Sequence, residues 1–587
     1  MKSLIELLSE KLGESFEKAG YDKKYGKVTI SNRPDLCEYQ CNGAMASAKQ
    51  YKCAPAMIAN AVVENLKDDE MFDEIVVVNP GFINIKISEE YLSEYVDKLS
   101  KDEMLGVEKT EGKTIVIDYG GANVAKPLHV GHLRSAIIGE TLKRLMRYKG
   151  DKVIGDVHLG DWGLQMGLII EQLRVEQPDL VYFDDTYEGE YPSEPPFTIS
   201  ELEKIYPTAS ARSKEDEEFK EKAQTATLEL QKGKRAYRAL WQHILTVSIA
   251  DLKKNYKNLN VDFDLWKGES DAEEFIPDMV DDLINRGFAH ESQGAMVVDV
   301  MEETDQKEIP PCIIRKSDGA ALYATSDLAT LVQRKRDFNP DEVIYIVDKR
   351  QEMHFTQVFR VAKKTGIADE NEQLKFIGFG TMNGKDGKPF KTRAGGVMRL
   401  ETLISDINNA VYEKMMENRE ISEEEAKEIS KVVGLSAIKY GDLSNQASKD
   451  YIFDTERFTS FEGNTGPYIL YTLVRIKSIL KKYAENGGKV GEIKLNKKLS
   501  STEKTLMMEL SKYNSVIDSA YEELAPHKIC SYIYDLSNAF NGFYHENKIL
   551  AEQDANRQYG FISLLIATKK VLETCIDILG FEAPDRM

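Results

Sequence analysis

Cysteine is scarce in this chain: Cys37, Cys41, Cys53, Cys312, Cys530 and Cys575 stand alone among 587 residues, and no two form a CxxC. That scatter speaks against a disulfide scaffold and fits reduced thiols in a reducing compartment. Cys37 and Cys41 could be half a metal site, but small buried side chains are the plainer reading. Long apolar runs are missing too, and no segment approaches the ~18 uninterrupted apolar residues of a membrane span. The first ten residues are too acidic for a secretory signal and read as an amphipathic helix, so a cytoplasmic protein with no membrane partner is expected. Positive charge is in deficit, with 77 Lys and Arg against 98 Asp and Glu, a net charge of −21. A nucleic-acid partner would therefore need its basic residues gathered locally. No internal repeat or low-complexity tract is visible. What is present, 42% apolar and 30% charged residues, is a soluble globular composition long enough for about three to five domains.

The stretch from Asp118 to Ser135 organises the rest. It follows Thr114-Ile-Val-Ile117, a β-branched run that reads as a buried strand. Beyond it Leu133, Ile137, Leu142 and Leu145 recur at helical spacing. His129 and His132 thus sit where a strand hands over to a helix, and unpaired N–H groups with the positive end of the dipole suit a phosphate there. Gly131 leaves no side chain between them. Two histidines three apart can also be a helix-face coincidence or a metal pair, but no third Cys or His lies near enough in sequence to support zinc.

Ala122-Asn-Val-Ala-Lys-Pro-Leu-His-Val-Gly-His-Leu-Arg-Ser135 resembles the first signature of class I aminoacyl-tRNA synthetases, in the form carried by arginyl-tRNA synthetases. HxGH alone is shared with nucleotidylyltransferases, whereas Asn123, Lys126-Pro127 and Leu133-Arg134-Ser135 make the likeness specific. The resemblance implies a Rossmann-like α/β nucleotide-binding catalytic domain over 112–400. An N-terminal α/β domain for tRNA recognition over 1–108 and an all-α helical anticodon-binding bundle over 401–587 would flank it. It also implies that His129 and His132 steady ATP at its α-phosphate, with Lys126 and Gly131 beside them.

Along the chain, strands are expected near 75–78 and 82–87. An aromatic and an amide can stack on and bond an unpaired base, so Phe82 and Asn84 are candidate tRNA contacts; the alternative is a core phenylalanine and a strand-surface asparagine. His158-Leu-Gly-Asp-Trp-Gly-Leu-Gln-Met-Gly167 reads as a tight loop entering a helix and looks like the family's DWGxQxG stretch, with no firm chemical role. Residues of about 176–270, acidic, Pro-rich and then highly charged, read as a surface insertion.

Leu322-Tyr-Ala-Thr-Ser-Asp327 opens another helix, which Thr325 or Ser326 can cap. Asp327 could be a plain first-turn carboxylate; the resemblance instead makes Tyr323 and Asp327 arginine ligands. Gln351, Asn123 and Asp118 are further arginine-binding candidates by the same likeness. A guanidinium offers five donors in a flat fork, so its pocket needs carboxylate acceptors and a planar neighbour. The glycine-rich loop 384–396, with Lys388 and Lys391, is a cationic device for a polyphosphate or else a solvated basic turn. It stands where the family carries KMSKS and departs from it, leaving open which lysine acts.

Beyond 400 the chain reads as helical. Ile529, Ile533, Leu536 and Phe540 mark one inward stripe. Arg475 and Lys477 offer a basic face for RNA, or plain solubility, and the terminal Pro584-Asp-Arg-Met587 resembles the family's C-terminus, which makes Met587 a tRNA-contact candidate.

The reading is ATP-dependent activation of L-arginine and its transfer to tRNA-Arg, with Mg²⁺ arriving on ATP, no protein-bound metal, and a monomeric chain. Lys388 and Lys391 would neutralise the departing pyrophosphate as catalytic partners of the histidines. A small-substrate nucleotidylyltransferase would have no use for the outer domains. A non-catalytic tRNA-binding relative would have lost the histidines or lysines kept here.

Overall fold

Four short antiparallel strands, β1 (Val28–Ile30), β2 (Tyr39–Cys41), β3 (Phe72–Val78) and β4 (Phe82–Ile87), form an N-terminal sheet in the order β1-β2-β4-β3. Helix Leu4–Lys18 supplies its cover by burying Leu4, Leu8, Leu12 and Phe16, one residue each turn, behind a Ser3–Glu6 capping box. The computed structural model describes residues 1–317, 322–388, 398–417 and 421–587. By compactness the chain divides into residues 1–109 with 461–577 and 582–587, and residues 110–460 with 578–581.

In the first unit the N-terminal domain sits directly on the C-terminal helices. Lys504 Nζ pairs with Glu38 at 2.6 Å and donates to the Ile87 carbonyl at 3.0 Å, and the Leu499 N–H donates to Glu89 at 3.0 Å. The bundle comprises helices Gly466–Glu485, Ser501–Leu510, Tyr513–Glu522, Pro526–Glu546 and most of Ala555–Leu579. Ile529, Ile533, Leu536 and Phe540 are all fully buried, as their spacing predicts.

The second unit is built on a parallel sheet of β5 (Thr114–Asp118), β6 (Lys152–Asp156), β10 (Glu342–Asp348) and β11 (Gln373–Phe379), in the order β11-β10-β5-β6. The chain leaves β5 toward β6 on one side while β10 pairs on the other, so the sheet reverses its order between β5 and β10. The crevice above the carboxyl ends of such strands is where α/β sheets take ligands. A small antiparallel sheet of β7 (His290–Ser292), β8 (Ala295–Val298) and β9 (Cys312–Arg315) lies in the same unit. The insertion folds as helices Ile199–Glu215, Glu217–Gln231 and Arg235–Asn258.

The expected start of the helical domain at 401 falls inside this larger unit. Helices Leu400–Met416 and Glu423–Leu443 stay with the sheet because Arg134 of the signature helix donates to Asp442 at 2.8 Å, both side chains at most 2% exposed. A buried charge pair of that kind fixes one packing arrangement. Helix Tyr323–Phe338 begins earlier than its hydroxyls suggest. Thr325 is already inside it, accepting from the Leu322 N–H at 3.2 Å and donating to the Ile314 carbonyl at 2.6 Å. Asp327 consequently lies past the first turn, where the dipole alone does not call for a carboxylate.

Candidate functional site

The end of the site that carries the histidines is built almost entirely from neighbours in sequence. His129 is the N-cap of helix Val130–Lys149: its Nδ1 accepts from the Gly131 N–H at 3.0 Å, and His132 Nδ1 accepts from the His129 N–H at 3.2 Å. Because a backbone N–H points at each Nδ1, each neutral ring keeps its proton on Nε2, free to donate outward. The rings lie 4.0 Å apart, and a Cβ on Gly131 would stand 2.7 Å from the His129 ring, so the glycine is a steric requirement. Burial lowers the pKa of His129, with Lys126 adding to it, and burial with His129 beside it holds His132 at about 3. Both are neutral donors at pH 7. Lys126 lies 4.6 Å above the Tyr206 ring.

The second signature is attached to the first. Met398 accepts from the Val130 N–H at 3.1 Å and the Leu400 N–H donates to the Leu128 carbonyl at 2.9 Å. At the loop's other end Arg134 donates to the carbonyls of Gly380 and Lys449 at 2.8 and 2.9 Å. Lys388 is exposed on the stem; Lys391 and most of the loop, 389–397, lie outside the described residues.

The second end of the site is acidic and drawn from distant segments. Asp327 is held by His354, whose Nε2 donates to it at 2.5 Å. Tyr323, one turn earlier on the same face, is 75% exposed at the mouth. Glu269, which sequence reasoning passed over, lies within electrostatic reach of both: burial pushes its carboxyl up to about 7, with His158 opposing and Asp161 and Asp327 adding. Burial, reinforced by Asp327, also pushes the Cys312 thiol up to about 12, so it stays protonated. Asn123 bridges Gly160 in a strand-like contact, and its Oδ1 lies where a Cβ on Gly160 would intrude at 2.2 Å. Gln351 is exposed just before the helix that carries His354.

Asp118, an arginine-binding candidate, is engaged by a buried arginine of the chain itself. It faces Asp156 across the β5–β6 pair, and Arg334, buried on helix Tyr323–Phe338, donates to both carboxylates at 2.6 and 2.8 Å. The chain's own guanidinium thus already occupies Asp118 Oδ2. Asp118, Asp156 and His158 bring ligand atoms within 4.8 Å of one another, and the positive charge between the two acids is Arg334.

The RNA-contact candidates fall in the other unit. Asn84 is 7% exposed and accepts from Gln40 at 2.9 Å; Phe82 is half-buried at the start of β4. Arg475 is stacked 4.8 and 4.9 Å from Tyr471 and Tyr544 and donates to Asn541 at 2.6 Å. Lys477 points to the C-terminal tail, 3.4 Å from the Ala583 carbonyl and 3.9 Å from Asp585, a few residues before Met587.

Three family models match. Residues 95–455 match the model for tRNA synthetases class I (R), catalytic domain; residues 469–587 match the DALR anticodon binding domain; residues 2–87 match the arginyl tRNA synthetase N terminal domain. The arginine–tRNA ligase of Agathobacter rectalis is 62% identical over 597 aligned positions covering all of both chains. That of Alkaliphilus oremlandii is 58% identical over 588, again end to end. Among solved structures, the arginyl-tRNA synthetase of Plasmodium falciparum superposes with a TM-score of 0.82 at 25% identity over all of both chains. The Thermus thermophilus arginyl-tRNA synthetase gives 0.78 at 21% and shares the fold.

Proposed function

The chain belongs to the arginyl-tRNA synthetase family, and on that premise we propose how its two-ended site divides the work. Its activity is that of an arginine–tRNA ligase, condensing arginine with ATP and passing the arginyl group to tRNA-Arg. The observation that carries the assignment of ends is the charge contrast. Neutral imidazole donors stand at a helix N-terminus on one side, and Asp327 and Glu269 lie within electrostatic reach of each other on the other.

ATP enters with Mg²⁺ as substrate. Its α-phosphate meets Nε2–H of His129 and His132, whose donors strengthen as charge builds on the pentacoordinate phosphorus. Lys388 and Lys391 meet the departing pyrophosphate, and Lys126 stands beside the histidines. The guanidinium of arginine enters between Asp327 and Glu269, with Tyr323 covering it at the mouth. Asn123 and Gln351 serve its amino and carboxylate end. Attack by the arginine carboxylate then needs no protein nucleophile, only alignment.

The tRNA is met by the other unit. Arg475 between Tyr471 and Tyr544 forms a platform on which a base can stack, and Met587 lies on the tail that Lys477 ties down. Phe82 and Asn84 serve the N-terminal domain's contact. No helix among the described residues is long and apolar enough to cross a membrane. We assign the chain to the cytoplasm, acting as a monomer.

ATP–pyrophosphate exchange with arginine, lysine and citrulline, each with and without tRNA-Arg, tests the division. Exchange is expected with arginine alone, since lysine lacks the second donor pair and citrulline the charge. Equal exchange with citrulline would reject the two-carboxylate pocket.

A further inference from the structure

The loop Asp161-Trp-Gly-Leu-Gln-Met-Gly167 has no task in the scheme above, yet its one buried carboxylate reaches the residue beside Glu269. Asp161 is 2% exposed. Its Oδ1 accepts from the Ser270 N–H at 3.0 Å and its Oδ2 from the Ser270 hydroxyl at 2.6 Å, so it grips the residue next to Glu269 through backbone and side chain at once. The Glu269 N–H donates to the Leu159 carbonyl at 3.0 Å, and the Leu159 N–H to the Lys267 carbonyl at 2.8 Å. Gly268 makes the approach feasible, because a Cβ there would stand 2.6 Å from the Asp161 carboxylate.

The loop is itself braced from behind. Trp241 Nε1 donates to the Asp161 carbonyl at 2.9 Å and Arg238 lies 4.5 Å over the Trp162 ring, both from the insertion helix Arg235–Asn258. Gln165 donates to the Gly160 carbonyl at 2.6 Å, and Gly160 is the residue that accommodates Asn123. Gly167 lets helix Leu164–Glu176 close on Ala223 and Thr227, where a Cβ would meet the Ala223 carbonyl at 2.0 Å.

We infer that Asp161 is a positioning residue for arginine selection: it fixes Glu269 toward the guanidinium by clamping Ser270, and it ties that carboxylate to the insertion helix through Trp241. The inference rests on the reading of Glu269 as a guanidinium acceptor. Two carboxylates and a flat cation reward alignment, and a displacement of about 1 Å at such a contact costs on the order of 10²-fold in rate.

The experiment is a double-variant cycle on the full chain, read as steady-state kinetics of arginine and of ATP in pyrophosphate exchange. Asp161→Ala should lower arginine kcat/KM on the order of 10²-fold while the ATP KM moves less than about twofold. Asp161→Asn, whose amide oxygen still accepts from Ser270, should recover activity to within about tenfold of the unaltered chain. Asp161→Ala combined with Glu269→Gln should be no worse than Glu269→Gln alone, the mark of a residue acting through its partner. Multiplying losses, or an ATP KM that rises in step with that of arginine, would overturn the positioning role. An unaltered arginine kcat/KM in Glu269→Gln would remove the acceptor reading beneath it, and the inference with it. Should Asp161→Ala not fold, Ser270→Ala, which deletes the hydroxyl half of the clamp, must show the same arginine-only loss at smaller size, and its absence counts against the proposal.

Discussion

The two ends of the catalytic crevice are made differently. At the phosphate end, Lys126, His129, Gly131 and His132 fall within seven positions of one another, and the histidines hold each other through the backbone N–H groups of one helix start. At the end proposed for arginine, Asn123, Asp161, Glu269, Asp327 and His354 come from distant segments. One end offers neutral imidazole donors beside a lysine; the other gathers carboxylates and burial until Glu269 is pushed up to about 7. A local device is rigid by its own turn, whereas an assembled one depends on braces elsewhere in the unit.

The largest effect should separate the ends outright. Asp327→Ala leaves the guanidinium without its His354-held acceptor, a penalty of roughly 3–5 kcal/mol, or on the order of 10² to 10³ or more in arginine kcat/KM. Its ATP KM should stay put, and a matching loss for ATP would erase the division. His132→Ala should do the converse, lowering kcat for activation on the order of 10²-fold with the arginine KM little changed, because a donor to developing phosphate charge acts in the transition state. Single-turnover adenylate formation reads that loss directly.

The acid limb of the pH profile sharpens the contrast. His132, held at about 3 by burial and its neighbour, and His129, also lowered, do not change charge near neutrality. Glu269 does, in the company of His158, Asp161, Asp327 and Tyr323. Its folded pKa lies above its ordinary value of 4.5, so the ionised form costs the free fold stability as pH climbs from about 4.5 through 7, and bound arginine returns it. Arginine kcat/KM should therefore rise with pH through a midpoint near 7 and level roughly a unit above it, and Glu269→Gln should abolish that limb while lowering the plateau. A limb that survives in Glu269→Gln would place the titrating group elsewhere.

What the sequence disclosed follows the same division. The HxGH strand-to-helix turn and the bundle stripe at Ile529, Ile533, Leu536 and Phe540 are written in local patterns of period and cap. Glu269 was not legible, because an acid in a charged insertion looks like any solvated carboxylate until the fold buries it within electrostatic reach of Asp327. The signal that pointed to it was Asp161 and its flanking glycines, a tight loop with no evident task. The break at 401 was misplaced for a related reason: helical periodicity does not say which neighbour a helix packs on, and the Arg134–Asp442 pair settles that from residues far apart in the chain. The N-terminal domain likewise shares a unit with the C-terminal bundle through Lys504 and Leu499. Deleting 1–108 would thus expose a packed surface as well as remove the proposed tRNA contact.

The smallest expected effect belongs to Asp118, and it decides whether that residue serves the ligand or the frame. As an arginine ligand, its neutralisation would cost about as much as that of Asp327, on the order of 10²-fold or more. The geometry gives it to Arg334 at 2.6 Å, with Asp156 sharing the same guanidinium at 2.8 Å. Asp118→Asn keeps an acceptor toward Arg334 and loses the charge assistance, which roughly halves that bond's strength. Asp156 still balances the buried cation, so the frame should hold with about 1–2 kcal/mol less stability and arginine kcat/KM within roughly tenfold. Thermal unfolding and arginine kinetics measured on the same preparation separate the two roles. A lowered melting temperature with near-normal kinetics confirms the frame, whereas an arginine-specific collapse at unchanged stability would return Asp118 to the pocket and leave Arg334 as the charge the substrate must displace.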